Sequence, residues 1–98
     1  MAAADHGGPA PDHYQLLGVA RGASREEIAL AWRRRARAEH PDAQPADAAA
    51  PGRFRVLAEA WRVLGDPARR AAYEQDLRLA VLAELALRYL AADRGQPL

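Results

Sequence analysis

Apolar residues recur along this chain at spacings of three and four, the mark of amphipathic helices rather than strands. The first such stretch is short. Tyr14, Leu16 and Leu17 form one apolar turn behind Asp12, whose carboxylate suits an N-cap, and Gly18 ends it. A helix of one to two turns is expected there. The second stretch opens on a capping box, Ser24-Arg-Glu-Glu, with Ser24 at the N-cap and Glu27 three residues on. Glu26 and Glu27 also suit the positive end of a helix dipole. The expected helix runs from Arg25 to Glu39. Its buried stripe is Ile28, Trp32 and Ala36 at i, i+4 and i+8, with Ala29 and Ala31 alongside. Arg33, Arg34 and Arg37 fall mostly on the other side.

A third helix is expected from Gly52 to Gly65, where Phe54, Leu57, Trp61 and Leu64 recur at helical spacing beside Ala58 and Ala60. Two long helices with one apolar stripe each need one another, so they should close as an antiparallel hairpin. Gly65-Asp66-Pro67 stops the third helix. Asp66 caps the next one and Pro67 takes its first position. That segment, Ala68 to about Asp76, holds Arg69, Arg70 and Tyr73. From Gln75 to Ala92 the pattern is again helical. Leu79, Leu82, Leu85, Ala86, Tyr89 and Leu90 make a broad apolar face opposite an i, i+4 pair of Glu84 and Arg88. Such a face has to be covered, either by packing back on the hairpin or by joining another chain. The fold class is therefore all-α: an antiparallel hairpin, short flanking helices and an added C-terminal helix.

Between the two long helices stand His40, Pro41 and Asp42. Proline lacks a backbone N–H and clashes with the preceding turn, so the second helix must stop here. It also drives His40 into an extended conformation. An imidazole and a carboxylate are thereby displayed at a helix end. The loop that follows, Ala43 to Gly52, is bracketed by Pro45 and Pro51. Asp47 is placed to cap a turn within it, and Pro51 suits the first position of the next helix.

Composition narrows the chemistry. Ninety-eight residues suffice for one small domain with extensions. Cysteine is absent, which removes disulfides, thiolate metal sites and cysteine nucleophiles, and is compatible with a reducing, cytoplasmic setting. The net charge is +1, and all the basic residues apart from histidine are arginines. That balance does not call for nucleic acid, and no base-reading motif accompanies Arg33, Arg34, Arg37, Arg69 and Arg70. By itself an arginine run most often marks a solvated face. No basic-then-apolar stretch marks a secretory signal. Leu79 to Leu90 is too short and too interrupted to span a bilayer. His6 and His13 are too isolated for a metal site. His40 and Asp42 have no nucleophile, metal cluster or phosphate loop beside them, so no enzyme, cofactor or metal is expected. Residues 1–11 are expected as a flexible leader and 93–98 as a polar tail.

Taken together, Asp12-His-Tyr-Gln-Leu-Leu-Gly-Val, Ser24 to Ile28, Trp32-Arg-Arg, His40-Pro-Asp, Phe54, Glu59-Ala-Trp, Val63-Leu, Asp66-Pro and Arg69-Arg-Ala-Ala-Tyr resemble the J-domain of DnaJ-type co-chaperones. The resemblance keeps the family's order and spacing from Asp12 to about Gln75. It implies a J-domain over 12–76 followed by an amphipathic helix over 77–92. It further implies a protein that stimulates ATP hydrolysis by a DnaK-type chaperone (the heat-shock-seventy class) and does no chemistry itself. Asp42 of the His-Pro-Asp motif would engage an arginine of that chaperone. The basic face of the second helix, here Arg33, Arg34 and Arg37, would dock on an acidic surface, with Arg55 and Arg70 as secondary contacts.

This chain departs from the family pattern at several positions. Arg35 stands where a core Leu is usual. Its stem would lie along the hairpin with the head in solvent, or its head would pair with Glu39. Glu39 replaces the usual aromatic. Ala29 and Leu30 replace residues that are commonly basic, and Trp32 and Trp61 stand for two tyrosines. The altered positions and the apolar C-terminal face leave a second reading open. In it the chain is a J-like interaction module that does not activate a chaperone and binds a partner or itself through Leu79 to Leu90. Neither reading involves nucleic acid or membrane.

Overall fold

The computed structural model describes residues 11–94. The leader expected over 1–11 and the tail expected over 93–98 lie outside these residues, apart from Pro11 and the helical Asp93 and Arg94. The described chain is helical, in the order α1 (His13–Leu17), α2 (Arg25–Glu39), α3 (Ala50–Leu64) and α4 (Pro67–Arg94), with a single 3-10 turn over Pro41–Ala43.

Local chemistry sets the ends. Before α1, Asp12 accepts the Gln15 N–H at 2.8 Å while Gln15 Oε1 accepts the Asp12 N–H at 2.8 Å, a reciprocal capping box. Gly18 then turns into the left-handed region at φ 75°, where a side chain would be strained. Ser24 and Glu27 repeat the box before α2. Helix α3 starts at Ala50, two residues ahead of the expected Gly52, and Pro51 follows inside the first turn. Ala49 at its N-cap has no side-chain cap bond, and Pro51, expected at the first helical position, stands at the second.

The core is small. Tyr14 and Leu17 of α1, Ile28 of α2, and Leu57, Ala60 and Leu64 of α3 are buried together. Helices α2 and α3 run antiparallel: Glu39 at the end of α2 meets Arg53 early in α3, and Arg25 Nε donates to Gly65 O at the opposite end. Between those ends Trp32 and Trp61 stack with centroids 6.2 Å apart and planes 2° from parallel. Gly65 is needed for room rather than for φ. A Cβ there would lie 2.8 Å from the Trp61 ring.

Helix α4 is gripped by one side chain. Arg70 Nε donates to the Tyr14 hydroxyl at 3.1 Å, and its Nη2 donates to the carbonyls of Arg21 and Ala23, each at 2.9 Å. The guanidinium also lies over the Tyr14 ring, 5.4 Å from the centroid. Tyr14 in turn donates its O–H to Glu74. Burial, followed by that carboxylate, pushes the Tyr14 phenol up from its ordinary range. Tyr73 accepts the His13 N–H at 2.9 Å and stacks on the His13 ring. Leu77 makes the last contact with the core. From Arg78 to Ala92 every residue is exposed, and the helix continues without a break. The C-terminal apolar face therefore does not pack back on the hairpin, and the expected pair of helices is one rod.

Candidate functional site

The corner between α2 and α3 is built from the chain outward. Pro41 ends α2, and His40 adopts φ −60° and ψ 136°, the extended conformation expected before a proline. The chain then makes one 3-10 turn, closed by Ala43 N–H to His40 O at 2.9 Å and Gln44 N–H to Pro41 O at 3.1 Å. Gln44 reaches back with its amide to the Ala38 carbonyl, satisfying one of the unpaired acceptors at the end of α2.

Two supports hold this turn against α3. One is aromatic: the His40 ring meets Phe54 edge-on at 5.1 Å, and Phe54 leans on Trp32 at 5.7 Å. The other is polar. Arg53 donates to Glu39 at 3.1 Å, to Gln44 at 3.2 Å and to Asp47 at 2.7 Å. The Arg53 hydrogen bond holds the Asp47 carboxyl below its usual range, and Asp47, then Glu39, raise the guanidinium further. Asp47 also accepts the Ala49 N–H at 2.9 Å, which makes it the turn cap expected from the sequence.

The motif side chains are placed differently from one another. His40 Nδ1 accepts the Asp42 N–H at 3.1 Å, so this nitrogen carries no proton in that geometry. The 3.8 Å approach of Asp42 Oδ2 to the same nitrogen is then a proximity, not an ion pair. The Asp42 side chain is 95% exposed and is left open to a visitor. Ala36, Arg37, His40, Asp42 and Ala43 line one open depression of about 530 Å³, so Arg37 and the motif share a surface.

Arg33, Arg34 and Arg37 are exposed on α2 and, among the described residues, make no salt bridge; Arg55 on α3 is likewise exposed and unpaired. Arg70 differs. Its guanidinium is engaged by Tyr14, Arg21 and Ala23, so it is a clasp inside the chain rather than an offered charge. Of its two expected courses, Arg35 does not take the pairing with Glu39. It lies beside Gly18 and lines a groove with Leu16 and Leu57, while Glu39 pairs with Arg53 instead. Sequence reasoning did not single out Arg53. Its partners lie six, nine and fourteen residues away, and no helical spacing points to them.

Among the described residues no group of three His, Cys, Asp or Glu side chains is placed to hold a metal ion, and no helix is long and apolar enough to cross a membrane.

A short helix against an antiparallel hairpin, with His-Pro-Asp at its corner, is the arrangement the sequence resemblance called for. The family model of the DnaJ domain matches residues 12–74, and the chain belongs to that family. Among curated proteins, it is 50% identical over 64 residues to the chaperone protein DnaJ of Acetivibrio thermocellus, covering 65% of this chain and 17% of that protein. It is 52% identical over 68 residues to the chaperone protein DnaJ 1 of Mycobacterium bovis, covering 69% and 17%. The DnaJ of Xanthomonas axonopodis is 52% identical over 63 residues, covering 64% and 17%. The chain thus spans about a sixth of the length of these relatives, and the likeness is confined to their J-domain.

Proposed function

We propose that this protein is a J-domain co-chaperone that docks on a DnaK-type ATPase and stimulates its ATP hydrolysis. The observation that carries this reading is the Asp42 carboxylate, 95% exposed on a turn braced by Phe54 and Arg53. A carboxylate so displayed suits bidentate pairing with a guanidinium of the partner. Because the turn is already fixed, docking orders little that was free. The Arg33, Arg34 and Arg37 ridge supplies a positive surface that steers encounter with an acidic one and weakens with salt. The chain itself carries out no bond chemistry. It acts by favouring the hydrolysis-competent state of the ATPase, since binding both states equally would shift nothing.

The test is steady-state ATP turnover by a DnaK-type chaperone with and without this chain. Stimulation is expected, and Asp42→Asn or His40→Gln should abolish it while the helical circular dichroism stays unchanged. Arg33→Ala with Arg34→Ala should raise the concentration needed for half-maximal stimulation, most clearly at low salt. Absence of stimulation with every DnaK-type chaperone of the source cell would overturn the proposal.

A second reading, an interaction module without activation, is favoured by the exposed outer half of α4 and by Ala29, Leu30, Arg35 and Glu39 on α2. It predicts a partner whose binding survives Asp42→Asn and is lost when residues 77–98 are removed.

A further inference from the structure

The arginines of the hairpin are used in two ways. Arg33, Arg34 and Arg37 make no salt bridge among the described residues, whereas Arg53 donates to three acceptors at once. Two of these, Glu39 and Gln44, are the residues immediately before His40 and after Ala43, so they flank the turn that carries Asp42. The third, Asp47, lies in the loop beyond. One guanidinium on α3 therefore ties both flanks of the turn. Its acceptors are themselves held. Gln44 donates to the Ala38 carbonyl at 2.9 Å, and Asp47 accepts the Ala49 N–H at 2.9 Å. A planar fork of donors suits several fixed acceptors, where a lysine would offer a single point charge.

Arg53 bonds to neither side chain of the His40–Asp42 pair, so it acts on the Asp42 carboxylate only through the turn. That turn is closed by three bonds: Asp42 N–H to His40 Nδ1 at 3.1 Å, Ala43 N–H to His40 O at 2.9 Å and Gln44 N–H to Pro41 O at 3.1 Å. A single 3-10 turn exposed to solvent opens readily unless its ends are tied. Phe54 steadies the His40 end, and Arg53 ties the far end as well. We propose that Arg53 is a positioning residue: it fixes the aim of the Asp42 carboxylate and so sets how strongly a docked ATPase is activated. This rests on the co-chaperone reading given above. A guanidinium of the partner pairs bidentately only with a carboxylate held at the right angle, and a looser turn occupies that angle less often. Arg53 contributes little to steering, because Glu39 and Asp47 match its charge. Its loss therefore falls on the maximum of the stimulation, whereas loss of Arg33 and Arg34 falls on the concentration needed to reach half of it.

Two measurements on the whole chain test it, the first without a partner. In Arg53→Met, hydrogen exchange at the amides of Asp42, Ala43 and Gln44, followed by NMR, should quicken several-fold while amides inside α2 keep their rates. Unchanged exchange at those three amides would overturn the inference, whatever any ATPase does. The second is ATP turnover by a DnaK-type chaperone. Arg53→Met should lower maximal stimulation several-fold, with a smaller change in the half-maximal concentration and in its salt dependence. Glu39→Ala with Gln44→Ala removes both flanking acceptors and leaves Arg53 with Asp47. That pair should lower the maximum to a similar extent, and adding Arg53→Met to it should lower it little further. The brace is exposed, so the urea midpoint should hardly move, which separates aim from fold. An undiminished maximum, or a loss seen only as a higher half-maximal concentration, would make Arg53 one more docking charge and overturn the inference. A parent chain that stimulates no ATPase would overturn the co-chaperone reading, and the exchange rates would still decide whether Arg53 holds the turn.

Discussion

The α2–α3 hairpin and the outer half of α4 both carry apolar residues at helical spacing, yet they end in opposite situations. In the hairpin Ile28 and Leu64 are 0% and 1% exposed. On α4 Leu82 and Leu90 are 61% and 55% exposed. The difference does not lie in helix-forming tendency, since α2, α3 and α4 are each continuous helices. It lies in whether the chain supplies a second stripe at the right distance and on the right side. A periodic pattern says that a face needs a cover; only geometry says whether the same chain provides one.

The sharpest way to break this comparison is to remove one leucine from each region. Leu64→Ala should cost about 2–5 kcal/mol, because it leaves a cavity in a thin core. Leu82→Ala should stay within about 0.5 kcal/mol at dilutions where the chain is a single copy. Urea unfolding of the two variants beside the parent checks both. Equal costs would mean that α4 is covered from within.

Next in size is the junction between the regions. Arg70→Met keeps the stem but removes three hydrogen bonds and leaves two carbonyls and the Tyr14 hydroxyl without that donor. A loss on the order of 2–3 kcal/mol is expected. Amide exchange should quicken from Ala68 to Leu77 before it changes in α2.

The smallest effect is a pH dependence. His13 stacks on Tyr73, and its Nδ1 is buried without a hydrogen-bond partner. Burial, only partly opposed by Glu59 and Asp12, lowers its pKa below that of the unfolded chain. The folded state thus takes up a proton less readily. The stability tied to this residue is complete above the unfolded value, about pH 6.5, and is lost as pH falls through the lower folded value. His13→Gln should flatten the dependence of the unfolding midpoint between about pH 7 and pH 5.

The sequence spoke most clearly where the physics is local. The Asp12 cap, the Ser24–Glu27 capping box, the stop at Pro41 and the extended His40 depend on neighbours within four residues, and α2 has the bounds its cap and proline imply. Asp42 was legible for the same reason, since a residue just past a helix-ending proline is turned outward. What could not be read depends on distant partners. Arg70 looked like one more surface charge because Tyr14 is fifty-six residues away. Arg53 looked like one residue of a helix's first turn because Glu39, Gln44 and Asp47 reach it only after the corner has formed. Glu39 looked like a lost aromatic, yet it anchors the polar side of the brace that Phe54 supplies on the other.

The continuity of α4 has a mechanical consequence. From Pro67 to Arg94 it is a single rod of roughly 42 Å without glycine or proline beyond its first residue. Anything that fastens its far end fixes the compass bearing of the Asp42 carboxylate as well. The segment is a bracket rather than a tether: a visiting partner would find its target already aimed, and from one quarter only.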